Sequence, residues 1–285
     1  MSMLCRLSCL CLALLAAFAV AASEYLTYPL HQRGVNPQTY AVELLRLALE
    51  KGGGDYLLQA SPQPMSPSRA RYSLEHNDNQ VQVIWTMTTR EREATLLPIR
   101  IPIYKGLIGW RIPLIRGDQR ELLANISDRA ALATLRIGQR SDWPDTAILR
   151  ANGQQVEVSP AYPGLFDMLA AKRFDLFPLE AVMVQQEQQR VSAEGLNIAI
   201  DKHLVLHYPS ALYYFTSRQR PELAETIRRG LEAAITDGSF ERLFQSYFAL
   251  TLKQLHLPQR RVIELDNPLL PDTLPLDRPE LWYHP

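Results

Sequence analysis

Short apolar runs that suit strands trade places along this chain with longer stretches of helical period. Val81, Val83 and Trp85 alternate with Gln82 and Ile84, the two-residue period of a strand with at least one buried face. Ahead of them, 25–29 reads as an opening strand closed by proline. Ala41, Leu44, Leu45, Ala48 and Leu49 then form one apolar stripe on a helix over 38–51. Three glycines from Gly52 stop that helix, 56–60 resumes as a strand, and 69–76 predicts a short helix feeding the strand over 81–85. The middle repeats the alternation. Strands are expected over 107–114, 135–138, 156–158, 174–177, 198–200, 203–207 and 212–216. Helices are expected over 128–134 and 164–172, and a turn into a helix over 141–150. Two amphipathic helices over 221–236 and 239–247, parted by Asp237-Gly238, close the patterned part. Beyond Leu257 prolines are frequent, and that segment is expected to wrap a surface. Strand and helix in alternation build an α/β protein with a mostly parallel sheet, whose ligands sit at the carboxyl ends of strands.

The chemistry concentrates at one such end. After the strand over 81–85 come the hydroxyls of Thr86, Thr88 and Thr89 and the guanidinium groups of Arg90 and Arg92. A planar fork beside hydroxyls and free backbone N–H groups suits a small carboxylate, because bidentate pairing fixes both charge and orientation. Either arginine can be the fork; the alternative for Arg92 is a surface ion pair with Glu91 or Glu93. Thr88 and Thr89 are secondary ligands or simply strand-end residues. Ser141 stands where a strand enters a helix through Pro144, so free N–H groups there attract anions and its hydroxyl can join them. Alternatively Ser141 or Asp142 is the helix cap, and Asp142 suits that role better. Tyr28, Trp85 and Tyr104 are either aromatic walls of a pocket or core.

Composition narrows the class. The 30 Lys+Arg balance 30 Asp+Glu without a polybasic run, so neither nucleic acid nor a membrane surface is an expected partner. Residues 1–22 read as a cleaved export signal, with Arg6 at its start, a short apolar core and small residues at its end. Cys5, Cys9 and Cys11 all fall inside it, so an exported product in the periplasm would lack disulfides and rely on core packing. There is no G-x-S-x-G, no P-loop and no H-E-x-x-H. His203 and His207 lie in a strand-like run, where four residues span about 13 Å, too far for one metal ion. No catalytic residue, cofactor or metal is expected.

Three places resemble the family-3 type of extracytoplasmic solute-binding proteins, the amino-acid-binding class that serves ABC importers. T-R-E-R ending at Arg92, followed by Pro102 and Tyr104, is similar to the family's T-x-E-R segment and later P-Y pair. L-A-A-K-R-F-D ending at Asp175 is similar to L-x-x-G-x-x-D, with Lys172 where the glycine is usual. I-T-D-G-S-F-E-R-L-F-Q-S-Y-F over 235–248 is similar to the closing helix pair. The resemblance, which spans about 25–250, implies a two-lobe, periplasmic-binding-protein-like fold of type II with a ligand cleft between lobes joined by two hinge strands. It implies lobe one over 24–107 plus 218–285 and lobe two over 108–217. It makes Arg92 the carboxylate-binding arginine, sets Glu180 opposite a ligand ammonium unless Glu180 opens a helix, and favours Tyr28 among the aromatic walls. The implied function is monomeric, periplasmic capture of a small zwitterion or carboxylate, most simply an amino acid, for a membrane permease of an ABC transporter. A ligand sensor for a signalling partner is the first alternative. A carboxylate-processing, dehydratase-like enzyme using Glu180 as its acid or base is the second.

Overall fold

The computed structural model of the protein describes residues 24–30 and 38–285, so the expected export signal lies outside the described residues. The first half is built on β1 (Glu24–Leu30), which pairs in parallel with β2 (Tyr56–Pro64). Between them runs α1 (Gln38–Lys51), which buries its predicted stripe. Ser66 caps α2 (Pro67–His76) by accepting a hydrogen bond from the Arg69 amide, and the chain then enters β3 (Val83–Met87). Gln82 ties that strand to β1, since its amide donates to the Thr27 carbonyl while its side-chain oxygen accepts from the Thr27 amide. After β3 come α3 (Arg90–Thr95) and β4 (Leu97–Ile99). The late strand β11 (Leu212–Thr216) lies antiparallel between β3 and β4.

The second half centres on β5 (Trp110–Arg116). One edge of β5 pairs antiparallel with β8 (Leu176–Glu180), and the other with β9 (Ile198–Ile200) and β10 (Leu204–His207). Beyond β8 lie β6 (Arg136–Arg140) and β7 (Gln155–Ser159), both parallel to it or to each other. The helices α4 (Arg129–Leu132), α5 (Pro144–Ala151), α6 (Tyr162–Ala170) and α7 (Val184–Ala193) connect these strands. The long α8 (Pro221–Thr236) and α9 (Ser239–Leu255) return to the first half, where α8 packs on α1. One apolar cluster runs through both halves, from Leu44 and Val83 to Ile112 and Phe177.

Besides the C-terminal chain around Arg261–Glu264, two segments cross between the halves. One leaves through 104–109 and the other returns through 208–211, bonded by the Tyr208 amide on the Gly109 carbonyl at 3.2 Å. They lie so close that a Cβ at Gly109 would sit 2.2 Å from the Tyr208 carbonyl oxygen.

Several expectations need correction. The arginine segment is a helix, α3, stacked against β4, and neither has an apolar period long enough to show in six and three residues. Glu180 ends a strand and does not open a helix. Lys172 takes the left-handed backbone, φ 63°, at the position where the resembling family has glycine. The proline-rich end does wrap a surface, but not lobe one alone. Within it β12 (Arg261–Glu264) pairs in parallel with β10, so part of 218–285 belongs to the second sheet.

Candidate functional site

Between the halves lies a cavity of about 170 Å³, lined from one side by Trp85, Thr86, Met87, Arg92 and Leu212 and from the other by Arg111, Trp143, Asp145, Glu180 and Met183. Across the cleft the Ser68 hydroxyl of α2 approaches the Asp142 carboxylate just ahead of α5 at 3.5 Å.

Local folding dictates who faces the cavity. Thr89 caps α3 by accepting from the Arg92 amide at 3.2 Å. That start turns Arg92, in the first turn of α3, back over the end of β3. There its guanidinium donates to the Thr86 hydroxyl at 3.0 Å and the Met87 carbonyl at 2.7 Å. Both acceptors are neutral, and among the described residues no carboxylate lies within ion-pair distance of Arg92. Burial, with repulsion from Arg71 second, lowers its pKa to about 10, which leaves it a cation at neutral pH. Arg92 is half-buried and hydrogen-bonded only to neutral groups, so an incoming anion gains a charge-assisted partner there.

The opposite wall is built on a cross-strand pair. Register places Arg111 of β5 directly opposite Glu180 of β8. Arg111 is 1% exposed and forms ion pairs with Glu180 at 3.0 Å and with Asp145, the acid in the first turn of α5. The Tyr208 hydroxyl donates to the same Asp145, and the Tyr208 ring lies 5.7 Å from the Arg111 guanidinium carbon. Burial alone would lower the Arg111 pKa, but Asp145 and Glu180 outweigh it and hold it above its ordinary value. Two carboxylates therefore share one guanidinium. The second Glu180 oxygen is buried with no hydrogen-bond partner. Nearby Asp142 is paired with Arg140 at 2.7 Å, and Arg71 with Glu91 at 2.8 Å. One wall thus carries an uncompensated positive charge and the facing wall an uncompensated negative one.

Arg92 and Glu180 meet at this cavity together with Thr86, Trp85 and Tyr104, whereas Thr88, Thr89, Arg90, Ser141 and Tyr28 do not line it. Thr88 is fully buried and donates to Glu93 at 2.7 Å, so its hydroxyl braces α3. Thr89 is spent as the cap. Arg90 turns away, its guanidinium donating to the carbonyls of Pro268 and Leu270. Ser141 lies in an adjoining cleft that shares Arg71, Arg92 and Asp142 with the cavity, its amide bonded to the Ser159 carbonyl at 3.1 Å. Asp142 is not the helix cap either: Trp143 holds that position without a side-chain bond, because Asp142 is drawn to Arg140. Tyr28 stacks behind Trp85 at 5.9 Å, whereas Trp85 and Tyr104 do line the cavity. Arg111, Asp145 and Tyr208 escaped the sequence reading. The available signal was Arg111, the only charged residue in the apolar run 107–115.

No family profile matches the sequence and no curated protein matches it. Solved structures do match in fold. An ancestral arginine-binding protein bound to arginine has a TM-score of 0.57 at 14% identity, covering 79% of this chain and 97% of its own. A histidine kinase sensor domain with similarity to periplasmic binding proteins has a TM-score of 0.57 at 14% identity, covering 80% and 96%. A Salmonella typhimurium periplasmic binding protein of high arginine specificity has a TM-score of 0.57 at 12% identity, covering 79% and 98%. The protein has the mixed α/β, two-lobe fold of the type II periplasmic binding proteins. Its resemblance to the family-3, amino-acid-binding proteins is thereby upheld as a likeness of fold. Among the described residues no helix is long and apolar enough to cross a membrane.

Proposed function

We propose that the cleft reversibly captures a small zwitterion, an amino acid, with its carboxylate on Arg92 and its ammonium on Glu180. The observation that carries this is the pair of opposite, uncompensated charges on facing walls of one cavity. The Thr86 hydroxyl and Met87 carbonyl orient the Arg92 fork, and Arg111 orients Glu180 while leaving one carboxylate oxygen for the guest. Each wall alone binds half of the ligand, so only the shut cleft makes both contacts and ligand shifts the population toward it. The task is binding without a covalent step. An exported, periplasmic monomer would present the shut form to the permease of an amino acid ABC transporter, since solved neighbours include the substrate-binding protein of such a transporter.

Calorimetry with an amino-acid panel tests the capture. Arg92→Ala should weaken binding about 100-fold, and unchanged affinity would eliminate the carboxylate fork. A sensory role is the second reading, favoured by the histidine kinase sensor domain among the neighbours. Gene neighbourhood separates the two, with a permease and ATPase beside the gene in one case and a kinase or cyclase in the other.

A further inference from the structure

We propose that the captured amino acid carries an uncharged, aliphatic or thioether side chain, as in leucine or methionine; this rests on the zwitterion capture above. Once Arg92 and Glu180 hold the two termini, most polar groups of the cavity are already engaged, the Ser68 hydroxyl at the Asp142 side and two Arg111 nitrogens without a hydrogen-bond partner being the exceptions. Thr86 is engaged by Arg92, Asp145 by Arg111 and Tyr208, Asp142 by Arg140, and Arg71 by Glu91. Most of what is left of the wall is apolar, including Ile84, Met87, Ile108, Val182, Met183 and Leu212. A guanidinium or carboxylate carried there would be stripped of water without a partner. Size points the same way. At about 170 Å³ the cavity is little larger than the roughly 150 Å³ apolar void that accepts benzene in another protein, so one modest side chain fits within it.

Calorimetry on the full chain with glycine, leucine, methionine, glutamine, arginine, glutamate and leucine amide decides the matter. Leucine or methionine should bind about 10- to 100-fold tighter than glycine, and tighter still relative to arginine and glutamate. Arginine, glutamine or glutamate binding as tightly as leucine overturns the side-chain inference while leaving zwitterion capture intact. Leucine amide binding as well as leucine overturns the carboxylate fork but leaves the apolar preference standing. Silence with every amino acid overturns both. Val182→Thr, which keeps shape and adds a hydroxyl, should weaken leucine several-fold and leave glycine unchanged; an equal loss for both also counts against the inference.

An independent set of contacts leads us to infer that the C-terminal segment after β12 is a strap that restrains cleft opening. In the second half, the Asp266 carboxylate pairs with Arg129 at 2.7 Å, and its backbone exchanges hydrogen bonds with the Asn152 side chain at 2.7 and 2.9 Å. Asn267 then donates to the Pro209 carbonyl on the returning crossing at 2.9 Å. In the first half, the Arg90 amide donates to the Leu269 carbonyl at 3.0 Å and its guanidinium to Pro268 and Leu270. The segment ends on the other crossing. Trp282 covers Gly106, where φ is 74° and a Cβ would meet the indole at 2.5 Å, and the Tyr283 amide donates to the Lys105 carbonyl at 2.8 Å. One stretch of chain thus grips both halves and both crossings, so opening must break part of it.

The three cysteines all precede Glu24, which makes distance labelling simple. With Cys5, Cys9 and Cys11 replaced by serine, spin labels at Tyr72→Cys and Arg150→Cys report the gap across the cleft. Without ligand, Arg90→Ala/Asn267→Ala should shift that distance longer and broaden it; Asn267→Ala alone should do so in part. Unchanged distances in both folded variants overturn the strap.

Discussion

Two of the three arginines that line this cavity, Arg111 and Arg92, live under opposite conditions. Arg111 is shared by two carboxylates and shielded by an aromatic ring, while Arg92 is held by a hydroxyl and a carbonyl and feels Glu91, Asp145 and Asp142 only from beyond ion-pair distance. A buried cation with its counter-ions present belongs to the architecture; one without them is waiting for an anion. The contrast gives each arginine a different failure. Removing Arg111 should damage folding first, and removing Arg92 should damage binding first.

The largest effect is expected at Arg111. Arg111→Met leaves Asp145 and Glu180 buried together without a cation and should cost about 3–5 kcal/mol in denaturant unfolding. Adding Asp145→Asn and Glu180→Gln to it removes the stranded charges and should recover more than half of that loss, because the three groups act as one unit. A loss below about 1 kcal/mol for the single substitution would put Arg111 on a par with a surface arginine. Next comes Arg92→Ala, which should lower leucine affinity about 100-fold, as expected for losing two charge-assisted bonds, while stability stays within about 1 kcal/mol. If stability falls as far as for Arg111→Met, the contrast between the two arginines is gone. Glu180→Gln should be milder. It keeps the shape and leaves Arg111 its Asp145 partner, so leucine affinity should fall about tenfold with a smaller change in unfolding than Arg111→Met gives.

This difference between the arginines also marks what a sequence can carry. The cluster of hydroxyls and arginines after β3 was legible, but the local pattern left Arg90 and Arg92 equivalent, and only the resemblance singled out Arg92. The strand–helix alternation was legible because α1, α8 and α9 each repeat an apolar face over several turns. Arg111 was hidden because its partners come from elsewhere: Glu180 through antiparallel register, Asp145 from a helix start and Tyr208 from the returning crossing. Nothing local to residue 111 encodes that meeting. Likewise β12 has only four residues, and its place beside β10 rests on the path the chain takes after α9. Patterns with a period are local; partnerships between distant segments are not.

The smallest effect completes the contrast, because it concerns groups beside Arg92 that do not share its task. Thr88 looks equivalent to Thr86 in the sequence, yet its hydroxyl donates to Glu93, whose other oxygen takes Arg100 at 2.6 Å and Thr273 at 3.0 Å. Thr88→Val keeps the volume and removes that donor, so unfolding free energy should fall by about 1–2 kcal/mol. Leucine affinity should change less than twofold, since the Thr86 hydroxyl and Met87 carbonyl that aim Arg92 are untouched. A tenfold loss of affinity with intact stability would instead place the Thr88 hydroxyl among the ligand's contacts and would require Arg92 to act with a second hydroxyl. Measured by calorimetry and denaturant titration on the same preparation, the two outcomes separate a brace of α3 from a part of the binding fork.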